Sequence, residues 1–166
     1  VLPFFLPYQV IHNAMDLPAL DQPVPEPMRE HRWIGYVGAL LPSKGVSDVV
    51  RASAPLLRQR PELRLLLAGE GPEADPLKNL AAELEISEQV WMPGHVADPL
   101  PYLAGLQVLV QASPRETFSL VAMEAMSLQV PVVAYLRDGI PEVVEDGETG
   151  WLCSELDPQK LSTRIS

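Results

Sequence analysis

Short apolar runs alternate with helical patterns along most of this chain. The clearest helical pattern is 46–59, where apolar residues recur at the spacing of one helix face. Strands that alternate with helices form a parallel sheet covered by helices on both faces. We therefore predict an α/β fold with a Rossmann-like parallel sheet, whose strands are Trp33–Gly38, Leu63–Ala68, Gln89–Met92, Gln107–Gln111 and Val130–Ala134.

The residues that are unusual for a plain scaffold fall in the loops after these strands. The carboxyl ends of parallel strands meet at one edge of a sheet, and open α/β sheets bind ligands at that edge. We expect five loops to face one crevice there, namely 38–44, 69–71, 94–96, 113–120 and 135–139.

The fourth of these loops leads into the most informative helix. Residues 113–126 read SPRETFSLVAMEAM, and the helical part is nearly all apolar apart from Glu124. A helix that is apolar on every side belongs inside a domain. A carboxylate there is costly without hydrogen-bond donors, which a sugar diol can supply. We therefore predict that Glu124 binds hydroxyl groups; the alternative is a helix carboxylate held in a salt bridge.

The start of the same helix predicts a phosphate site. The amides of Thr117, Phe118, Ser119 and Leu120 are expected to be the unpaired N–H groups of the helix start, which favour an anion. Glu116 stands just before them. One turn would thus provide a phosphate-binding site flanked by two carboxylates that bind hydroxyl groups.

The spacing of the two acids, Glu116 followed by seven residues and Glu124, resembles the donor-binding signature of the retaining glycosyltransferases of family four, or group 1. These enzymes have the two-domain GT-B fold, and their usual phrasing is P-S-x-x-E-G-F-G-L-x-x-x-E-A-M-A. Here Thr117 and Ser119 replace two glycines, and small residues still allow close backbone approach. The resemblance runs from Val10 to Leu152 and implies the C-terminal half of a GT-B enzyme.

A second motif, Gly38 to Lys44, resembles the family's V-G-R-L-x-x-x-K-G, in which an arginine and a lysine hold the donor diphosphate. Lys44 matches the lysine, and a solvated lysine is the alternative. Ala39 stands where the arginine would be. This departure leaves three interpretations open: weaker diphosphate binding, a basic residue from elsewhere such as Arg115 or Arg137, or loss of activity.

Two other phosphate motifs are excluded. A P-loop is excluded because the residue directly before Lys44 is not a glycine. The run Gly69-x-Gly71-x-x-Ala74 imitates a dinucleotide fingerprint, but acids crowd the helix start where pyrophosphate would sit, and no acid stands at the end of the next strand to bind a ribose. We predict that these glycines serve backbone geometry.

The resemblance implies a role for each matching residue. Glu124 would bind the ribose hydroxyls, Glu116 the hydroxyls of the transferred sugar, and Lys44 the diphosphate, so that Glu116 and Lys44 are the catalytic candidates. Lys44 and the helix dipole would stabilise the departing diphosphate. Backbone near His95 would meet the nucleobase, with no acid–base role for the imidazole. The remaining donor-binding candidates are Gly38, His95, Val96, Thr117, Phe118, Ser119 and Leu120.

The domain boundaries follow from proline content and from the family match. Residues 1–31 are predicted to be a connector and lead-in segment outside the core, because the residue before each of its many prolines avoids the helical region. Asn13 and Asp16 match the family's V-I-P-N-G-V-D, and His12 is interpreted as a loop histidine. Residues 32–166 are predicted to be the donor-binding domain, truncated at its C-terminal helix.

Composition limits the partners. A net charge of -10 argues against nucleic acid or an anionic membrane surface as a partner. The single cysteine, Cys153, forms no internal disulfide and fits a reducing compartment, so we expect a cytoplasmic protein. The sequence contains no Asp-x-Asp and no His or Cys cluster at metal-ligand spacing. We therefore expect no metal and no cofactor, with a nucleotide diphosphate sugar as donor substrate.

By this resemblance the intact enzyme transfers a sugar from a nucleotide diphosphate to an acceptor with retention of configuration. The acceptor would be held by an N-terminal domain absent from these residues, so we expect this part alone to bind donor weakly and to be inactive. Two alternatives remain open: a sugar-nucleotide-binding relic without catalysis, and a GT-B relative of another class, such as a nucleotide-sugar epimerase or a phosphorylase.

Overall fold

A computed structural model describes residues 20–166, which form a six-stranded sheet in which every strand pair is parallel. The predicted α/β fold is confirmed. The order of the strands is β3-β2-β1-β4-β5-β6. The sixth strand, with the sequence GWLC, was not predicted. The strands are β1 Arg32–Val37, β2 Leu63–Ala68, β3 Val90–Gly94, β4 Leu106–Gln111, β5 Val132–Tyr135 and β6 Gly150–Cys153.

Helices cover both faces of the sheet, as the alternating pattern predicts. One hydrophobic cluster contains side chains of the first, second and fifth helices, and the other contains side chains of the third and fourth. Val108 and Val110 of β4 enter the first cluster and Leu109 enters the second, which explains why residues 108–110 are all apolar. The helices are α1 Val46–Gln59, α2 Ala74–Glu83, α3 Leu100–Ala104, α4 Leu120–Ser127 and α5 Pro158–Ile165.

Part of the proline-rich segment belongs to the core, contrary to the sequence-based expectation for residues 1–31. A short 3-10 turn, Glu26–Met28, places the Met28 side chain in the second hydrophobic cluster with only 3% exposure. Gly105 makes room for it, since a Cβ on Gly105 would lie 2.8 Å from the Met28 Cε. The predictions for His12, Asn13 and Asp16 concern residues outside the described part.

Candidate functional site

The strand order creates a crevice between β1 and β4. The chain moves outward in one direction from β1 and in the other from β4, and ligands of open α/β sheets bind where the order reverses. The loops after these two strands border the crevice and touch each other at Gly45. A Cβ on Gly45 would lie 2.0 Å from the carbonyl oxygen of Ala112, and Gly45 has a φ of 63°, so glycine allows this close approach.

An ion pair spans this crevice. The Lys44 Nζ lies 2.8 Å from the Glu116 Oε2, although the two residues are far apart in sequence. Glu116 is the more buried partner, with 11% of its side chain exposed against 33% for Lys44. The structure thus brings together the two residues predicted to be catalytic, and it does so at the position where the fold favours a ligand.

Tyr36 lies near the charge of Glu116 and was missed by the sequence analysis. Its hydroxyl donates a hydrogen bond to the carbonyl of Ala39 at 2.9 Å. Burial, followed by the nearby charge of Glu116, raises the pKa of Tyr36 well above its usual value. The sequence signal that could have identified Tyr36 is a tyrosine on a buried strand, two residues before Gly38.

The backbone at the start of α4 presents free N–H groups, as predicted. Amides 117 to 121 form no hydrogen bond with another backbone group of residues 20–166. Ser119 is the N-cap, and its hydroxyl oxygen accepts from the Ala122 amide at 3.3 Å. Ser119 therefore fixes the helix start and leaves the preceding amides available to an anion.

The fourth helix is less buried than its composition predicts. Only Ala122 and Ala125 are fully buried, while Leu120 is 51% exposed. The prediction of an interior helix is therefore wrong for most of its surface, because α4 packs on the sheet by one face only. The Glu124 carboxylate is half-buried and has no hydrogen-bond donor or ion-pair partner in the described chain.

Burial, followed by the charge of Asp98, raises the pKa of Glu124 above its ordinary value. Asp98 follows β3 on the same edge of the sheet, and its Oδ1 accepts a hydrogen bond from the Leu100 amide at 3.1 Å. The sequence analysis missed Asp98, although Asp-Pro before an apolar run is a helix-start signal. Asp98 therefore lies close enough to Glu124 to disfavour the charged form of the Glu124 carboxyl group.

The other loops hold this site in place through close backbone contacts. The Gly139 amide donates to the Glu116 carbonyl at 2.8 Å, and a Cβ on Gly139 would lie 1.8 Å from the Thr117 oxygen. The Gly69 amide donates to the Gly94 carbonyl at 2.8 Å. All five predicted loops therefore lie at one edge, and their glycines permit the contacts between them.

The remaining predicted site residues differ in exposure. His95 is exposed, whereas Val96 is half-buried against the cluster beneath α3 and α4. Gly38 has a φ of 149° and directly follows β1. Thr117 is exposed and Phe118 is half-buried. No ligand contact tests these positions, so their binding roles stay predictions.

Two buried polar groups at the end of β4 lack partners. The Gln111 Nε2 and the Ser113 Oγ form no hydrogen bond within residues 20–166, and both side chains are almost completely buried. A buried polar group left unpaired costs about 1–3 kcal/mol, so such groups in native proteins call for an explanation such as a functional role. Their position just before Glu116 places them beneath the crevice.

The described residues contain neither a metal-binding cluster nor a membrane-spanning helix. No group of three or more His, Cys, Asp or Glu side chains within residues 20–166 is arranged to hold a metal ion. None of the helices in that range combines the length and the apolar character needed to span a bilayer.

The strand order and the charged crevice at its reversal define a doubly wound α/β domain of the nucleotide-binding type. The sequence model described as glycosyl transferases group 1 matches residues 22–166. The chain belongs to this family, and its fold is that of the GT-B glycosyltransferase structures. The predicted family is thereby confirmed.

Individual relatives agree with the family match. D-inositol 3-phosphate glycosyltransferase of Corynebacterium efficiens is 38% identical over 138 residues, which are 75% of this chain and 31% of that protein. The structure of Anabaena Alr3699/HepE, solved in complex with UDP, matches with a TM-score of 0.75 and 28% sequence identity. The match covers 84% of this chain and 39% of the Alr3699/HepE chain.

A third relative is the C-terminal domain of the group 1 glycosyl transferase LpcC from Francisella tularensis. It has a TM-score of 0.73 and 27% identity, over 81% of this chain and 73% of that domain. The present chain spans about a third of the length of the curated relatives it matches.

Proposed function

We propose that this domain binds the nucleotide diphosphate sugar of a retaining group 1 glycosyltransferase, for transfer to an acceptor held by an N-terminal domain. The observation that carries the proposal is the Lys44–Glu116 ion pair in the crevice, with the free amides at the start of α4 directly after Glu116 and the unpartnered Glu124 carboxylate further along the same helix. UDP and UDP-glucose bound to Alr3699/HepE support a nucleotide donor.

Each group suits one part of such a donor. Glu124, with no donor of its own, accepts hydrogen bonds from the ribose hydroxyls. Glu116 accepts from the hydroxyls of the transferred sugar. Lys44 and the amides at the start of α4 bind the diphosphate and stabilise the negative charge that develops as it leaves. Electrostatic stabilisation of this kind acts without a bound metal.

A ligand panel tests the proposal directly. Thermal shift is measured with UDP, GDP and ADP and with their glucose conjugates, because a ligand that binds the folded state raises the melting temperature with concentration. At least one pair is expected to stabilise the chain. If none does at millimolar concentration, while the protein is folded by circular dichroism, the proposal fails.

A second cation is expected to compensate for Ala39. Among the described lysines and arginines, only Lys44, Arg115 and Arg137 lie in loops at the carboxyl edge. The half-buried Arg137 belongs to the loop whose Gly139 amide donates to the Glu116 carbonyl. We expect R137A to weaken diphosphate binding about tenfold, because a charge-assisted contact is lost.

The comparison for this prediction is R115A, which removes an exposed guanidinium from the neighbouring loop. Titration calorimetry at low and high salt measures both variants. A loss in R115A with none in R137A would assign the compensating role to Arg115. Unchanged affinity in both would leave Lys44 as the only side-chain cation at the diphosphate.

Donor binding is expected to weaken as the pH falls. The midpoint of this loss should lie at a higher pH than the pKa of an ordinary glutamate. Protonation of Glu124 removes the charged acceptor, and its pKa is raised by burial and by Asp98. UDP-glucose is a suitable probe between about pH 8 and pH 5, because it lacks the terminal phosphate group that titrates there. In D98N the midpoint should move to lower pH, since the neighbouring negative charge is gone. An unchanged midpoint in D98N would contradict the assignment.

We expect these 166 residues alone to bind donor without transferring it, because the acceptor site would belong to the proposed N-terminal domain. We expect the intact protein to act in the cytoplasm without a cofactor. The two alternatives predict other products. An intact relic binds donor without turnover on any acceptor, and an epimerase converts a nucleotide sugar when no acceptor is present.

A further inference from the structure

The two residues that share the ion pair have separate roles in the donor complex. This inference rests on the proposed function, in which Lys44 binds the diphosphate and Glu116 binds the transferred sugar. In the structure these residues bind each other, with 2.8 Å between Nζ and Oε2. A nucleotide whose phosphates attract Lys44 therefore draws the cation away from Glu116.

The Glu116 carboxylate has no second side-chain partner among the described residues. Lys44 is the one side chain within residues 20–166 that hydrogen-bonds to its carboxylate. The nearby Tyr36 hydroxyl already donates to Ala39, and the Glu116 backbone is held by the Gly139 amide. A carboxylate that is only 11% exposed is costly to leave charged and unpaired.

We propose that the Lys44–Glu116 ion pair makes the site select an intact sugar nucleotide over the free nucleoside diphosphate. Free diphosphate takes Lys44 and leaves Glu116 without a donor. An intact sugar nucleotide also takes Lys44, but its sugar hydroxyls donate to Glu116 in return. Once the glycosyl group has left with the acceptor, the pair re-forms and favours release of the diphosphate.

The selection is measured as the affinities for UDP and for UDP-glucose, or for the GDP or ADP pair if the wild type prefers another base. E116Q keeps the shape of the side chain and removes the charge that holds Lys44. We expect E116Q to bind UDP about tenfold more tightly and UDP-glucose no more tightly than the wild type. E148Q, an exposed carboxylate before β6, serves as the control and should change neither affinity.

A general repulsion between Glu116 and phosphate would also tighten UDP binding in E116Q, and a double-mutant cycle separates the two causes. Once Lys44 is replaced by methionine there is no cation to compete for. In that background E116Q should change UDP affinity by less than about twofold. An equal gain in both backgrounds, or an equal gain for UDP and UDP-glucose, overturns the proposed selection.

These outcomes are distinct from failure of the proposed function. If the wild-type chain binds none of the three pairs, the donor-binding role is wrong and this inference falls with it. If the wild type binds a pair and the cycle shows no coupling, donor binding stands and the ion pair does not select between the two ligands. Circular dichroism of each variant confirms that the comparison is between folded proteins.

Discussion

The variant E124A is expected to lose almost all of the stabilisation that a nucleotide gives to the wild-type chain. The half-buried carboxylate accepts from two ribose hydroxyls in the proposed complex, and a hydrogen bond to a charged group contributes about 1.5–3 kcal/mol. Loss of both hydrogen bonds should therefore weaken binding at least about 100-fold. The measurement is the ligand-induced shift in melting temperature over a concentration series. E83A, which removes an exposed carboxylate at the end of α2, is the control.

The stability of E124Q without ligand separates this role from a structural one. Because the pKa of Glu124 is raised, the folded chain binds this proton more tightly than the unfolded chain does. The charge therefore reduces stability above that pKa, and the penalty fades as the pH falls through it. Neutral glutamine should leave the unliganded protein at least as stable as the wild type at neutral pH. If Glu124 instead anchored the helix through a salt bridge, E124Q would melt at a lower temperature.

The sequence predicted the fold more completely than the contacts within the site. The strands and α1 were readable because both faces of the sheet are covered, which gives β2 and β4 uninterrupted apolar stretches at 65–68 and 108–110 and gives α1 a regular stripe. β6 was not predicted because a strand of four residues between turns shows little hydrophobic periodicity. The exposure of α4 was misjudged because composition does not show how much of a helix its neighbours cover.

Long-range contacts explain what the site prediction lacked. The motifs placed Lys44 and Glu116 at the same edge of the sheet, but their ion pair depends on the approach of two loops at Gly45. The influence of Asp98 on Glu124 likewise depends on how the chain after β3 packs beside α4. Local sequence signals mark each residue, whereas these pairings arise only when the sheet is assembled.

The variant G69A is expected to have the largest effect on stability. Gly69 has a φ of 147°, a backbone conformation that alanine rarely adopts, and a Cβ would lie 1.8 Å from the carbonyl oxygen of Gly38. The loop cannot move away freely, because the Gly69 amide donates to the Gly94 carbonyl. We expect the free energy of unfolding to fall by about 3–4 kcal/mol. For a chain of this size that is a drop in melting temperature of roughly 6–16 °C.

The comparison with G147A separates collision from backbone strain. Gly147 also has a positive φ, 84°, but a Cβ there would meet no atom within 4 Å. G147A should therefore cost only about 1–2 kcal/mol, the strain of the left-handed conformation alone. Equal melting temperatures for the two variants would show that the contact between the first two loops is not tight. A fingerprint role for Gly69 predicts a different result, in which G69A loses dinucleotide binding and keeps its stability. Since acids surround this turn and its amide is already bonded to Gly94, loss of stability is the outcome that the structure favours.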